Sequence, residues 1–471
     1  MRGYGFLSSS IGVTCAAAIA LPSALPAAAA TTRPAPTTEA ADATAGRLLA
    51  RIPGRSAERA VPGSTQSLPL APLARDRALG AAPEQGLYRS DVRHFSLVGV
   101  VWDTPDIELH GRVQVRTRSA AAGTWSGWQD VETHNADHGA DPGTAERTSG
   151  HVRGATAPLW VGDSDGVDVR VRAEAGNRDR GTGADEGDPL PSGLRLELVD
   201  PGAEPPPQGA PADFPRTGEQ SAEASAAFAV NTDLAPLGAS EIQALDRTAT
   251  EQELLALRGD ELTEQQRAKP SIGPRPRIVT RRGWGADEGL RAKGFVYTKK
   301  VKAAFVHHTA SGNNYRCSRA SSVIRGIYRY HVRSMGWRDI GYNFLVDKCG
   351  NIYEGRAGGV AKPVRGAHTL GFNSNSTGIA VLGTFSSSKP SSAVVKAIAR
   401  LTAWKLGLYG MNPRAKTYLK SGGGNLYRKG KNVRLNVISG HRDGFATDCP
   451  GRQLYRKLGT ARSAAARYQG R

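Results

Sequence analysis

Long apolar runs are nearly missing from this sequence. After the first 30 residues no stretch is long and apolar enough to span a bilayer, so the expectation is a soluble mature chain without a transmembrane segment. No internal repeat is visible, and no nucleic-acid-recognition motif. Acidic residues are scarce in one half. Residues 271–471 carry 37 Lys+Arg against 7 Asp+Glu, a balance of +30, whereas residues 1–270 carry −11. A basic half of that size suggests a polyanionic partner. Nucleic acid is one candidate and an anionic wall or membrane surface is the other. Cysteine is rare too, with four in 471 residues.

The N-terminus decides between those partners. Met1-Arg2 gives a positive start, Phe6 to Leu21 is apolar and small, and Ala27-Ala28-Ala29-Ala30 offers a cleavage site before Thr31. Residues 1–30 therefore read as a secretory signal peptide, and an extracellular protein has little call for nucleic acid. Loss of Cys15 with that signal leaves Cys317, Cys349 and Cys449. A disulfide is permitted outside the cell, but an odd count leaves one thiol free, intermolecular or bound to metal.

Composition then divides the chain. Residues 31–90, rich in Ala, Pro, Arg and Thr, read as a disordered linker. Residues 91–200 read as a small all-β domain. Phe95 to Trp102, Val113 to Thr117, Trp125 to Gln129, Leu159 to Val161, Val167 to Val171 and Leu194 to Leu198 are short strand-like runs split by Gly, Asp and Pro. Trp102, Trp125, Trp128 and Trp160 either line a glycan face or fill the core. Residues 201–275 read as a linker with short helices. Residues 276–460 mix both periods. Val301 to Val306 and Gly378 to Gly383 are strands, Tyr342 to Glu354 is a hairpin, and Ala320 to Arg333 and Ser392 to Leu408 are helices. The expectation is an α/β domain with a mixed central sheet flanked by helices. Residues 461–471 are left as a basic tail.

The chemistry concentrates in that domain. His307-His308 ends a strand, where alternation lets only one of the pair reach a given ion. His441 follows a second strand-like run, and Cys449 lies in Thr447-Asp-Cys-Pro-Gly451. Two imidazoles and a thiolate make a three-ligand set suited to catalytic zinc, with a fourth position open for water. The structural alternative is an ordinary buried histidine and a half-cystine. Cys317 and Cys349 can pair with each other, which leaves Cys449 as the spare thiol. No carboxylate stands out as a general base.

Several runs, in order, resemble the type-2 N-acetylmuramoyl-L-alanine amidase and peptidoglycan recognition protein family. They are Phe305-Val-His-His-Thr-Ala310, Asp339-Ile-Gly-Tyr-Asn-Phe344, Tyr353-Glu-Gly-Arg356, Gly366-Ala-His-Thr369 with Gly371-Phe-Asn373, and Gly440-His-Arg-Asp443 with Cys449-Pro-Gly451. A β domain ahead of such a domain resembles a common actinobacterial arrangement. The resemblance implies zinc held by His307, His441 and Cys449, with Tyr342 hydrogen-bonding the scissile carbonyl or the metal-bound water. Thr447 takes the place where other members carry Lys or Thr. It implies substrate contacts at His331, Gly336, Trp337, Arg356, His368 and Asn373, with the Gly336-Trp337 pair matching diaminopimelate-type peptidoglycan. His331 has a core reading as well, and Arg356 an ion-pair reading. The implied protein is a secreted, wall-directed monomer that hydrolyses the amide between muramic acid and L-alanine. Members that only bind peptidoglycan typically lack the ligand Cys, and a non-catalytic binder is the alternative.

Overall fold

The computed structural model describes residues 62–73, 84–133, 135–174, 190–203 and 221–471. The signal-peptide reading of residues 1–30 lies outside these. The described residues of the β domain and the α/β domain belong to one compact unit.

The β domain is antiparallel. Its axis is the long strand Leu159–Ala173, which pairs with Glu84–Arg89, Phe95–Trp102 and Gly111–Ser119. Strand Arg195–Asp200 pairs with both Phe95–Trp102 and Ser64–Pro69. Gly111–Ser119 shows the half-buried alternation its sequence implies, with Val113, Val115 and Thr117 inward. Phe95–Trp102 is different: all eight residues are buried. Phe95, Val98, Val100 and Trp102 fill the core of the β domain, while Leu97 and Val101 pack into a second core with Val323, Ile324 and Ile327 of helix Ala320–Arg329. A strand covered on both faces has no polar side to show, which accounts for the unbroken apolar run. Gly99 is required there, because a Cβ would fall 2.3 Å from the Tyr330 hydroxyl.

One sequence expectation is corrected at this domain. Ser64–Pro69, Ala71–Pro72 and Glu84–Arg89 are strands, so ordered structure begins well before residue 91. Backbone pairing holds them despite their weak pattern: Ser64–Pro69 to Arg195–Asp200, Glu84–Arg89 to Leu159–Ala173, and Ala71–Pro72 to Glu84–Arg89. The tryptophans divide. Trp102 and Trp160 are buried, whereas Trp125 is partly exposed. The Arg116 guanidinium lies over both Trp125 and Trp128, and that of Arg170 over Trp128.

The α/β domain is built on a seven-stranded mixed sheet. Its order is Glu241–Ile242, Ile278–Val279, Ile352–Glu354, Phe344–Val346, Ser376–Val381, Ala303–His308 and Ile438–Gly440. Ala303–His308 runs parallel to both its neighbours, and Phe344–Val346 with Ile352–Glu354 forms the antiparallel hairpin. Helix Ser392–Gly407, capped by the Ser391 side chain, covers one face. There it shares a core with Ala304, Val306, Ile379 and Val381. Helix Ala320–Arg329 covers the other face over Leu345 and Ala380. Cys317 and Cys349 are disulfide-bonded and tie that helix's entry to the hairpin turn.

Two further boundaries move. The segment expected to be a linker to residue 275 carries helices Ala222–Ala229, Arg247–Arg258 and Glu264–Ala268, but it also supplies an edge strand and the core residues Ile242, Leu254 and Ile272. The presumed basic tail is helix Leu458–Tyr468. Its Ala461, Ala465 and Ala466 recur at helical spacing and are buried, and the helix packs against Ser392–Gly407. Among the described residues no helix is long and apolar enough to cross a membrane.

Candidate metal centre

Parallel pairing brings the first two candidate ligands together. Val306 is in register with Gly440. His307 is the next residue of its strand and His441 the first residue beyond its neighbour's end, so the two emerge side by side at the carboxyl ends of adjacent parallel strands, where α/β sheets commonly place their sites. Their ring centroids are 4.5 Å apart. His308 occupies a different environment, its Nδ1 accepting from the Phe385 amide at 3.2 Å. After His441 the chain makes a short 3-10 turn and returns, with the Arg442 amide donating to the Cys449 carbonyl at 3.0 Å. That return sets Cys449 Sγ 3.7 Å from His307 Nδ1. Cys449 is buried and outside any disulfide.

A fourth donor comes from the other domain. His138 lies in the connection between strands Gln129–Val131 and Gly154–Ala155. The donor atoms of His138, His307, His441 and Cys449 all lie within 4.8 Å of one another. Zinc–ligand bonds of about 2.0–2.3 Å set tetrahedral ligand-to-ligand distances of roughly 3.3–3.8 Å, so a small contraction around an ion suffices. Both ring nitrogens of His441 and Nε2 of His138 are buried without a hydrogen-bond partner, a costly state for polar atoms unless an ion takes them up. His441 Nδ1 stands 3.5 Å from Asp137 Oδ2, an ion-pair distance rather than a formed hydrogen bond.

The electrostatics suit a cation. Burial holds the His307 imidazole far below its ordinary pKa, reinforced by His441, His368 and His138. His441 is pushed down to about 3 by burial, partly offset by Asp137. Both rings thus keep the lone pairs that a metal needs. Burial pushes the Cys449 thiol up, and Asp137 adds to this. A bound cation reverses that by taking the sulfur as thiolate. Burial opposes ionisation of Asp137, but His138 and His441 prevail and hold its carboxyl below the ordinary range, with help from the Thr447 hydroxyl. Tyr342 is buried, its ring 5.6 Å from His307. Burial foremost, then the Cys449 and Asp137 charges, keeps its phenol protonated.

Of the residues expected to contact substrate, His331, Trp337, Arg356, His368 and Asn373 are buried and Gly336 is partly so, and Gly336, Arg356 and Asn373 meet residues 139–151 of the β domain. His331 packs 4.5 Å from Trp337 and accepts from the Gly341 amide. Gly336 sits at φ 74°, where a Cβ would fall 2.0 Å from the His151 carbonyl oxygen. His368 Nδ1 lies 3.3 Å from His307 Nε2. Asn373 donates to Gly139 O at 2.8 Å and Asp141 Oδ1 at 2.7 Å. Arg356 makes a two-pronged ion pair with Glu146 at 2.8 and 2.9 Å. Sequence reasoning missed Asp137, His138, Asp141 and Glu146. The only local signal was a polar, Gly-containing connection, and nothing in it names partners in another domain.

An α/β domain with a His/His/Cys cluster at the sheet's carboxyl edge, preceded by an antiparallel β domain, is the class that fold and site define. Comparison with known proteins narrows it. Residues 297–452 match the family model described as N-acetylmuramoyl-L-alanine amidase. Residues 53–192 match the Rv3811 N-terminal galactose-binding domain-like model. Peptidoglycan-recognition protein SC2 of Drosophila simulans is 30% identical over 185 residues, covering 39% of this chain and 85% of that protein. The N-acetylmuramoyl-L-alanine amidase of Homo sapiens is 30% identical over 205 residues, 42% of this chain and 30% of that protein. A solved structure of peptidoglycan recognition protein-LE in complex with tracheal cytotoxin is 30% identical, with a TM-score of 0.30, covering 39% of this chain and 92% of that one. The chain belongs to the N-acetylmuramoyl-L-alanine amidase and peptidoglycan recognition protein family.

Proposed function

We propose that this is a secreted, zinc-dependent N-acetylmuramoyl-L-alanine amidase. It would hydrolyse the amide between the muramic acid lactyl group and L-alanine, with diaminopimelate-type peptidoglycan as its substrate. The observation that carries the reading is the buried, disulfide-free Cys449 beside His307 and His441. The donor set fits zinc, with two neutral imidazoles and a buried cysteine sulfur outside any disulfide. When bound, zinc supplies Lewis acidity and an activated water.

The chain's own residues do the rest. Tyr342 presents a neutral O–H, which can donate to a carbonyl oxygen as that oxygen gains charge. Its burial keeps the proton in place at working pH. Thr447 is partly exposed at the rim and accepts from the Cys449 amide at 3.2 Å. That contact holds the return loop, and its hydroxyl dipole provides weaker oxyanion support than a lysine would. His368 and Thr369 lie within 3.3 Å of His307 Nε2 and orient that ring. As the C–N bond breaks, water's hydroxyl goes to the carbonyl carbon and a proton to the departing amine.

Release of stem peptides beginning at L-alanine from purified sacculi, followed by mass analysis with and without chelator, tests the reading. Tyr342→Phe should lower kcat by about 10²- to 10³-fold, the usual cost of one oxyanion donor, while zinc content stays at one per chain. Undiminished kcat in that variant would remove Tyr342 from the chemistry. The balance of +30 over residues 271–471 further supports attraction to anionic wall polymers. Adsorption to intact walls should weaken steeply between low and high salt. Salt-independent adsorption would show that the charge serves only solubility.

A further inference from the structure

The strongest unexplained feature is where residues 135–153 lie. They belong to the β domain, yet they fill the cleft in which a substrate of the neighbouring domain would have to sit. Three observations bear on what they do there, and they do not depend on one another.

The first is the state of His138. Its Nδ1 lies 2.8 Å from Asp137 Oδ1. With Nδ1 engaged by that carboxylate, Nε2 is the ring nitrogen left to face the cluster. That Nε2 is buried, has no partner, and belongs to the four-donor cluster. A carboxylate behind a histidine is the arrangement that fixes tautomer and ring direction for metal binding.

The second is charge. Asp141 Oδ1 accepts from the Gly371 amide at 2.8 Å and from Asn373 Nδ2 at 2.7 Å. Glu146 takes both prongs of the Arg356 guanidinium. Two carboxylates thus satisfy Asn373 and Arg356, both among the substrate contacts that the resemblance implies. The third is space. Beside Cys449 the remaining cavity is about 20 Å3, bordered by Asn135, His138, His308 and Thr447. That holds one water molecule and no substrate. Ala140 and Val152 of the segment share one apolar core with Trp337, Ile340 and Tyr342.

We infer that residues 135–153 are an intramolecular stopper, with His138 the fourth protein ligand of the metal and Asp141 and Glu146 in the places of substrate carboxylates. The inference rests on reading the cluster as a zinc site. Four protein donors close a zinc centre, whereas hydrolysis needs one position open, so the enzyme in this conformation is latent. Tethering supplies the stopper at high effective concentration, so modest contacts suffice to hold it in. Vacating the fourth position requires only that His138 leave, because His307, His441 and Cys449 all belong to the other domain; admitting substrate requires that Asp141 and Glu146 leave with it.

Zinc competition against a chromophoric chelator and the absorption spectrum of the cobalt-substituted protein test the coordination. His138→Ala should bind zinc at least tenfold more weakly and change the cobalt spectrum. Wild-type affinity and spectrum in that variant would overturn the fourth-ligand assignment. Unchanged zinc affinity in Cys449→Ala would instead overturn the metal reading beneath it. A second variant, Asp141→Asn with Glu146→Gln, keeps His138 and loosens only the carboxylate contacts. It should be cut faster by protease within residues 135–153 and bind a diaminopimelate-type muropeptide at least tenfold more tightly. Wild-type protease resistance and muropeptide affinity would overturn the stopper. At saturating zinc, His138→Ala should also release stem peptide at least tenfold faster than wild type, and an equal or slower rate counts against latency. Absence of cleavage by every zinc-loaded form refutes the amidase reading and leaves the coordination result standing.

Discussion

Cys449→Ala should lose bound zinc and peptidoglycan cleavage together, the largest functional effect expected of any single substitution here. The sulfur is the only anionic donor in the cluster, and anionic donors dominate the attraction of a dication in a buried site. Even the loss of a partner behind a metal ligand costs about 10- to 100-fold in affinity, so loss of the thiolate itself should exceed that. The substitution removes only a sulfur from a small buried space and leaves the Cys317–Cys349 disulfide intact, so the fold should persist. Metal content after dialysis, near-ultraviolet circular dichroism and sacculus digestion, also in the His138→Ala background, check this. A folded Cys449→Ala protein with one zinc per chain and normal digestion would sink the assignment.

The largest expected loss of stability comes from Arg281→Met. Arg281 is 1% exposed. Its Nε and Nη2 donate to Glu288, and Nη1 donates to Asp339 at 3.1 Å and to the Gly355 carbonyl at 2.5 Å. Arg291 also donates to Glu288, and Asp339 accepts from the Ile340 and Ala357 amides. The network therefore joins the strand at Ile278–Val279, the hairpin exit and the loop before Tyr342. Removing the cation leaves buried Glu288 with Arg291 and buried Asp339 with the Ile340 and Ala357 amides. Breaking one side of a buried ion pair costs about 3–5 kcal/mol, equivalent to a fall in Tm on the order of 10 °C in a unit of this size. Arg281→Lys should recover only part of it, since a point charge cannot match the fork. A Tm change under about 2 °C, small on the same scale, would show that the carboxylates are relieved by other means.

Local pattern made most of the α/β domain readable. The apolar runs Val301 to Val306 and Gly378 to Gly383, the capped helix from Ser392 and the hairpin around Cys349 all carry their signals within a few residues. The candidate ligands were visible because histidine and unpaired cysteine are rare enough to notice. What stayed hidden was decided by distant contacts. Ser64–Pro69 has little strand character and is held by pairing to Arg195–Asp200. Helix Leu458–Tyr468 reads as a basic tail because its buried stripe is alanine. Arg356 was open to either a substrate or an ion pair, and the pair it makes is with Glu146, 210 residues away. His138 follows the same rule: no spacing within its own segment betrays a cluster assembled from another domain.

The register that sets Val306 beside Gly440 has a mechanical consequence. His307 stands on one strand of that ladder and His441 follows directly on the end of its neighbour, so their separation is set by the last paired rung. Cys449 and His138 arrive on irregular connections instead. The centre is thus half anvil and half clasp: the sheet keeps the bite angle constant while a connection can let go, and the clasp can open without disturbing the anvil.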